Sequence, residues 1–198
     1  AARAGGYDTP LLYSARHMGM GGAAVGYVDD PSALFHNPAG LAHVNRAAVL
    51  GDISLLLGGL QASPSVLARN IDSETTVAPF FLVGSAFRIT DWMVAGLGLY
   101  PVASSGATYR YGDGFEDRTT LLFIEATPAL AFNALENLRF GVGYRVTYVR
   151  LERFQGNPDR PASVATDLSL QGHSFAGLRL GAQWTATPAL DLGLSYRH

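Results

Sequence analysis

GMGGAAVGYVDDPSALFHNPAGLA, residues 19–42, decides how the rest of the chain is read. The stretch is too rich in glycine and alanine for a strand, and has too few periodic apolar residues for a stable helix. Gly19, Gly21, Gly22 and Gly26 let the backbone turn tightly and approach its neighbours closely. Asp29-Asp30-Pro31-Ser32 predicts a turn into a short helix, because proline is preset for a first helical position. Pro38 then ends that helix by disfavouring helical geometry at Asn37. From Ala47 onward the chain turns to repeated strand. Residues 1–46 therefore read as a compact plug, with polar, irregular residues 1–18 inside it, ahead of a sheet over 47–198.

Composition narrows the class. Of 198 residues, 48% are hydrophobic and only 15% charged, with 23 glycines. The basic residues are all arginine, and the net charge of -2 offers no electrostatic footprint for nucleic acid. No cysteine is present, so disulfide scaffolds and thiolate metal sites are excluded. No apolar run reaches the roughly 18 residues of a transmembrane helix. The Ala1-Ala2 start is what cleavage at a small-residue site leaves behind, and a trimmed chain would look the same.

The strand pattern predicts segments at 47–60, 76–90, 92–102, 119–133, 138–152, 167–186 and 190–198. Short connections (90–91, 134–137, 187–189) alternate with long polar ones (61–75, 103–118, 153–166). Membrane barrels have short periplasmic turns and long outside loops, which places Ala47 on the periplasmic side. In the fifth segment Leu138, Phe140, Val142, Tyr144, Val146 and Tyr148 alternate with Arg139, Gly141, Gly143, Arg145 and Thr147. One face is greasy and the other wet. In the sixth, Leu168, Leu170, Leu178, Leu180 and Trp184 are set against Gln171, His173, Arg179 and Gln183. A soluble β-sandwich binding module would alternate similarly. Long strands with aromatics near their ends (Trp92, Tyr100, Tyr148, Trp184) favour an antiparallel transmembrane β-barrel. Around Phe80 and Leu82 both faces are apolar. Either the plug packs on that wall, or these residues line a passage for a greasy ligand; the two readings are compatible.

Other chemistry finds little support. Gly19-x-Gly21-x-x-Ala24 matches a dinucleotide fingerprint formally but follows no strand. The five histidines never adopt a metal-ligand spacing. Asp113, Glu116 and Asp117 lack the order of a calcium loop. No nucleophile elbow is present, so the chain reads as no enzyme, with no cofactor. The charges expected inside the barrel are different. Pairing about Leu135 sets Glu125 opposite Arg145, and pairing about Pro188 sets Arg179 opposite Arg197. A structural charge ladder is the favoured reading, and an arginine fork for a carboxylate head group the alternative.

The order Arg16-x-Met18-Gly19-Met20-Gly21-Gly22-Ala23, followed by DDPSALFHNPAGLA, resembles the N-terminal hatch of FadL-type outer-membrane transporters of long-chain fatty acids and aromatic hydrocarbons. Asn37-Pro38-Ala39 is its most specific piece, and GLGLYPVASSG (96–106) is similar to the family's strand leading into an outside loop. The likeness implies an all-β fold: a hatch, then about seven strands of a barrel, about half of what the family closes. It implies passive uptake of hydrophobic small molecules in the bacterial outer membrane, among membrane lipid and lipopolysaccharide. Phe80, Leu82, Leu97 and Leu99 would form an apolar inner wall, with Arg145 and Arg179 also lining. A polar wall would instead favour a docking or secretion accessory role on the same fold. Two structural expectations accompany this: Asn37 bonds strand backbone inside the wall, and Glu125 faces Arg145. Because seven is an odd number of strands, the remaining strands are expected from later sequence or another chain.

Overall fold

A computed structural model describes residues 13–62, 70–111, 115–157 and 163–198. Seven strands form one antiparallel sheet in the order β1 (Ala47–Gly58), β4 (Thr76–Thr90), β5 (Met93–Arg110), β6 (Glu116–Leu135), β7 (Leu138–Gly156), β8 (Val164–Thr187) and β9 (Leu190–Arg197). The short β2 (Gln61–Ala62) and β3 (Ile71–Asp72) pair separately. Every main-sheet connection joins spatial neighbours, and β1 and β9 form the two edges. A single curled sheet replaces the alternative of two packed sheets.

The strands outrun the expected segments on one side. β8 has 24 residues, about 80 Å at a strand's rise, whereas a tilted crossing needs about 9–11. Most of the long loop expected at 103–118 is therefore paired strand, with Thr108 opposite Arg118 and Arg110 opposite Glu116. Polar cross-strand pairs carry these hairpins beyond the apolar band.

The outward face is apolar. Val49, Ile53, Leu57, Val83, Phe87 and Leu194 all project from it, exposed. Inside the curl lies the N-terminal segment: one-turn helices α1 (Ala15–Gly19) and α2 (Ala33–His36), then a 3-10 turn over Pro38–His43. Pro31 and Asn37 bracket α2 as the sequence predicts. Gly21 and Gly22, at φ of 67° and 84°, make the turn after α1 that other residues adopt only with strain. The core is the seam between this segment and the wall, where Leu34, Leu41, Val28, Leu82 and Val94 are fully buried. Glycines on the inner wall let the segment approach. Gly141 lies against Pro38 and Ala39, Gly181 against Asn37, and Gly193 against Val25, so closely that a Cβ would strike them.

Two bulges decide which side chains face inward. Pro101–Ala103 shifts the β5–β6 register, so Gly96, Gly98 and Tyr100 point inward below it, whereas Ala103 and Ser105 share the face of Phe123 and Leu121 above it. On β8 the register shifts where Arg145/Thr147 face Gly177/Ser174. Leu168 and Leu170 thus lie on the face opposite to that of Leu178, Leu180 and Trp184, a correction to the single alternation expected along that strand.

Candidate functional site: the lumen, its floor and its wall

The floor of the lumen is aromatic. Tyr13 packs on Phe35, Tyr100 and Phe80, with centroids 4.4, 5.9 and 6.4 Å apart. The Tyr100 hydroxyl donates to the Leu34 carbonyl at 3.1 Å and meets Thr127 Oγ1 at 2.7 Å, so a buried hydroxyl is satisfied by both layers. Tyr100 was expected among the membrane-facing aromatics, yet it is fully buried. Its parity with Gly96 and Gly98 gives the reason. Both glycines lie under Leu34, so the even positions of β5 form the inner face.

The same parity corrects part of the expected apolar wall. Phe80 and Leu82 are buried and face inward, but Leu97 and Leu99 are 55% and 44% exposed on the outer face, beside Ser85 and Val83. The apolar inner wall is built instead from Ala78, Phe80, Leu82, Val94 and Ala103.

Polar side chains from the wall hold the segment. Asn37 is fully buried; its Nδ2 donates to the Val25 carbonyl at 2.7 Å and to Ala182 of β8 at 3.0 Å. Its Oδ1 accepts from Ala39 N at 3.1 Å, starting the 3-10 turn. Gln183 Nε2 donates to the Val28 carbonyl at 3.1 Å. Arg179 donates to the carbonyls of Leu34 and Phe35 at the end of α2, where a cation is favoured, and its guanidinium lies 5.5 Å from the Phe35 ring. From β4, Arg88 donates to the carbonyls of Ala42, Val44 and Asn45. Sequence alone places Gln183 on the wet face of its strand without giving it a role and does not single out Arg88; inward parity on an amphipathic strand is the signal that marks both.

Glu125 is fully buried and accepts from Arg145 through Nε at 3.0 Å and through Nη2, and from Arg197 Nη2 at 2.8 Å. The pairing differs from expectation by two residues. Glu125 lies opposite Thr147, and Arg145 reaches it diagonally. A slip of two keeps the face, so the charges meet nevertheless. Arg179 does pair with Arg197, but its guanidinium serves α2. Of the residues considered for calcium, Asp113 lies outside the described residues, Asp117 pairs with Arg153 at 3.0 Å, and Glu116 lies near Arg110 and Arg118.

Two of the histidines, His17 and His36, form a buried pair. His17 Nδ1 meets the Tyr27 hydroxyl at 2.9 Å, and Nε2 meets Ser32 Oγ at 3.0 Å. His36 lies edge-on, 4.6 Å from the His17 ring, and its buried Nε2 has no hydrogen-bond partner among the described residues. Burial, with neighbouring cations, pushes His36 down to about 4, and burial also lowers His17.

Above the floor the wall is incompletely laddered. β4 and β5 pair only from Val83 opposite Leu99 to Thr90 opposite Met93. Beyond that, β4 pairs with β1, and β5 with β6. Residues 77–82 and 100–105 therefore flank a seam. A cavity of about 380 Å³ opens onto it, lined by Leu56, Leu60, Ala78, Phe80 and Ala103 among others, and is predominantly apolar.

No protein-family model matches the sequence, and no curated protein matches it. Solved structures do. A TodX deltaS2S3 mutant monoaromatic hydrocarbon channel aligns over 89% of this chain and 52% of its own, at TM-score 0.69 and 18% identity. The Ralstonia pickettii toluene transporter TbuX gives TM-score 0.66 at 14% identity, over 89% of this chain and 54% of its own. The Pseudomonas putida toluene transporter TodX gives 0.62 at 17%, over 89% and 52%. These likenesses establish the fold alone: seven antiparallel strands curled as in the barrels of those channels. This chain spans about half the length of each, and the proteins it resembles are channels and transporters rather than enzymes.

Asn37→Ala removes the amide that ties the segment to β8 and leaves buried carbonyls short of a donor, a loss of about 1–3 kcal/mol. The expected result is faster labelling of cysteines placed in residues 13–44, with barrel unfolding little changed. Equal labelling in parent and variant would show that the amide does not hold the segment.

Proposed function

We propose that this chain forms the hatch and first strands of a bacterial outer-membrane barrel that takes up hydrophobic small molecules passively. The carrying observation is the apolar cavity opening onto an unladdered seam in the wall. A hydrophobic molecule gains about 0.8 kcal/mol for each methylene kept out of water, so it partitions into such a cavity from the outside. The aromatic floor and hatch below it deny a straight aqueous path. Departure through the seam leads directly to lipid, which needs no energy source. Residues 1–46 act as the hatch in this reading, Phe80 belongs to the lining while Leu82 is buried in the core beside it, and Arg145 and Arg179 hold the interior rather than a ligand. Lipid and lipopolysaccharide surround the apolar band, and the strands flanking β1 and β9 come from further sequence or another chain. Hydrocarbons and fatty acids both suit the lining.

Uptake of labelled toluene and of oleate by cells expressing the protein tests this. Ala103→Trp fills the cavity and is expected to cut uptake at least about ten-fold, whereas outward-facing Val77→Trp leaves it unchanged. Uptake by the parent no better than by empty cells would turn the reading toward an accessory role on the same fold.

A further inference from the structure

The seam between β4 and β5 is closed at both ends. Its lower end is the ladder that begins with Val83 opposite Leu99. At its upper end, Thr76 Oγ1 donates to the Gly106 carbonyl at 2.8 Å, and Glu74 N donates to the Thr108 carbonyl at 2.8 Å. Arg110 Nη1 lies 3.2 Å from Glu74 Oε1, outside this pair of bonds. Between the two ends, neither strand bonds the other within the described residues. The seam is thus a framed window and not an open slit. Its frame is unequal in strength: a continuous ladder below, and two hydrogen bonds with an exposed ion pair above, the last contributing little.

We propose that the bonds of Thr76 and Glu74 to β5 are a clasp that limits the cross-section of the molecules leaving through this window, making Thr76 a specificity-determining residue. This rests on the lateral exit argued above. With the clasp made, β4 and β5 are held at hydrogen-bonding distance at both ends, and the strands between can bow only slightly. A flat single ring can turn edge-on to pass, whereas a rigid globular hydrocarbon cannot. Releasing the Thr76 hydroxyl lengthens the unbonded stretch toward the Glu74 bond and lets the upper strands part. The chemistry selected is therefore compact and planar.

The test compares uptake of toluene with uptake of adamantane, a rigid globular hydrocarbon, in cells expressing the parent, Thr76→Val or Thr76→Ser. Valine keeps the shape and loses the donor; serine keeps the donor. An ordinary hydrogen bond biases a two-state population about five-fold. Thr76→Val is accordingly expected to raise the adamantane-to-toluene ratio about five-fold, with Thr76→Ser at the parental ratio. Spin labels at Val77→Cys and Ser104→Cys, in a chain with no other cysteine, should show a broadened distance distribution in Thr76→Val alone. If the parent takes up toluene but Thr76→Val changes neither the ratio nor the distances, the clasp is overturned while the uptake reading stands. If the parent takes up neither hydrocarbon, both fall.

Discussion

Glu125→Ala is expected to destabilise the barrel more than any other single change in its interior. The carboxylate is fully buried and is the shared acceptor of Arg145 and Arg197. Removing one partner of a buried charge pair costs about 3–5 kcal/mol, because the other is left without compensation. Here two guanidiniums lose the same counter-charge at once, with the Arg179 guanidinium close behind them. Glu125→Gln keeps an acceptor in the same shape and should cost about half as much. The double change Glu125→Ala with Arg145→Ala should cost less than the two single changes together, since each already breaks the shared contact. Denaturant unfolding from lipid bilayers, followed by tryptophan fluorescence, reads all of these. A cost below about 1 kcal/mol for Glu125→Ala would mean that the cluster is hydrated and its pairing incidental.

How much of this was legible in the sequence depends on what set each feature. The alternation of Leu138 to Tyr148 against Arg139 to Thr147 marks a two-faced strand because one side lies on the apolar outer face and the other meets polar partners inside the curl. Pro31 and Pro38 bracket α2 because proline acts locally. The turn at Glu136-Asn137 is equally local, yet the register beyond it slips by two from a simple fold-back about Leu135. Parity survives such a slip, which is why Glu125 still finds Arg145. A bulge is different, since it reverses parity for everything beyond it. Neither the one at Pro101–Ala103 nor the one near Gly177 leaves a period-two signature. The assignment of Leu97 and Leu99 to the inner wall failed for a related reason. Both β4 and β5 carry apolar residues on both faces near the N-terminal segment, and glycines at 96 and 98 look like weak strand positions until Leu34 is seen filling the space above them. The hydrogen bonds of Arg88 and Gln183 depend on where the N-terminal segment lies in the curl, and no local pattern encodes that.

Acid should loosen the N-terminal segment before it affects the strands. The buried His36 imidazole is neutral, with Phe35, His17 and Arg179 around it and only Asp30 of the segment contributing a favourable charge. His17, gripped between Tyr27 and Ser32, has Arg16 and Asp29 on its outer side. The folded-state value of His36, about 4, lies below the ordinary 6.5. Its contribution is therefore complete above pH 6.5 and is lost as pH falls toward 4, because the undocked segment binds the proton more readily. The full loss is about 3 kcal/mol, comparable to the tie supplied by Asn37. A nitroxide on Met18→Cys, a position already exposed at the start of the segment, should gain mobility between pH 6.5 and 4 and recover on neutralisation. In His36→Leu, which matches the apolar surroundings, most of that transition should vanish, leaving the smaller share of His17. A parent whose label stays immobile at pH 4, or a leucine variant titrating as the parent does, would show that the N-terminal segment is held by its polar ties to β8 and β4 alone.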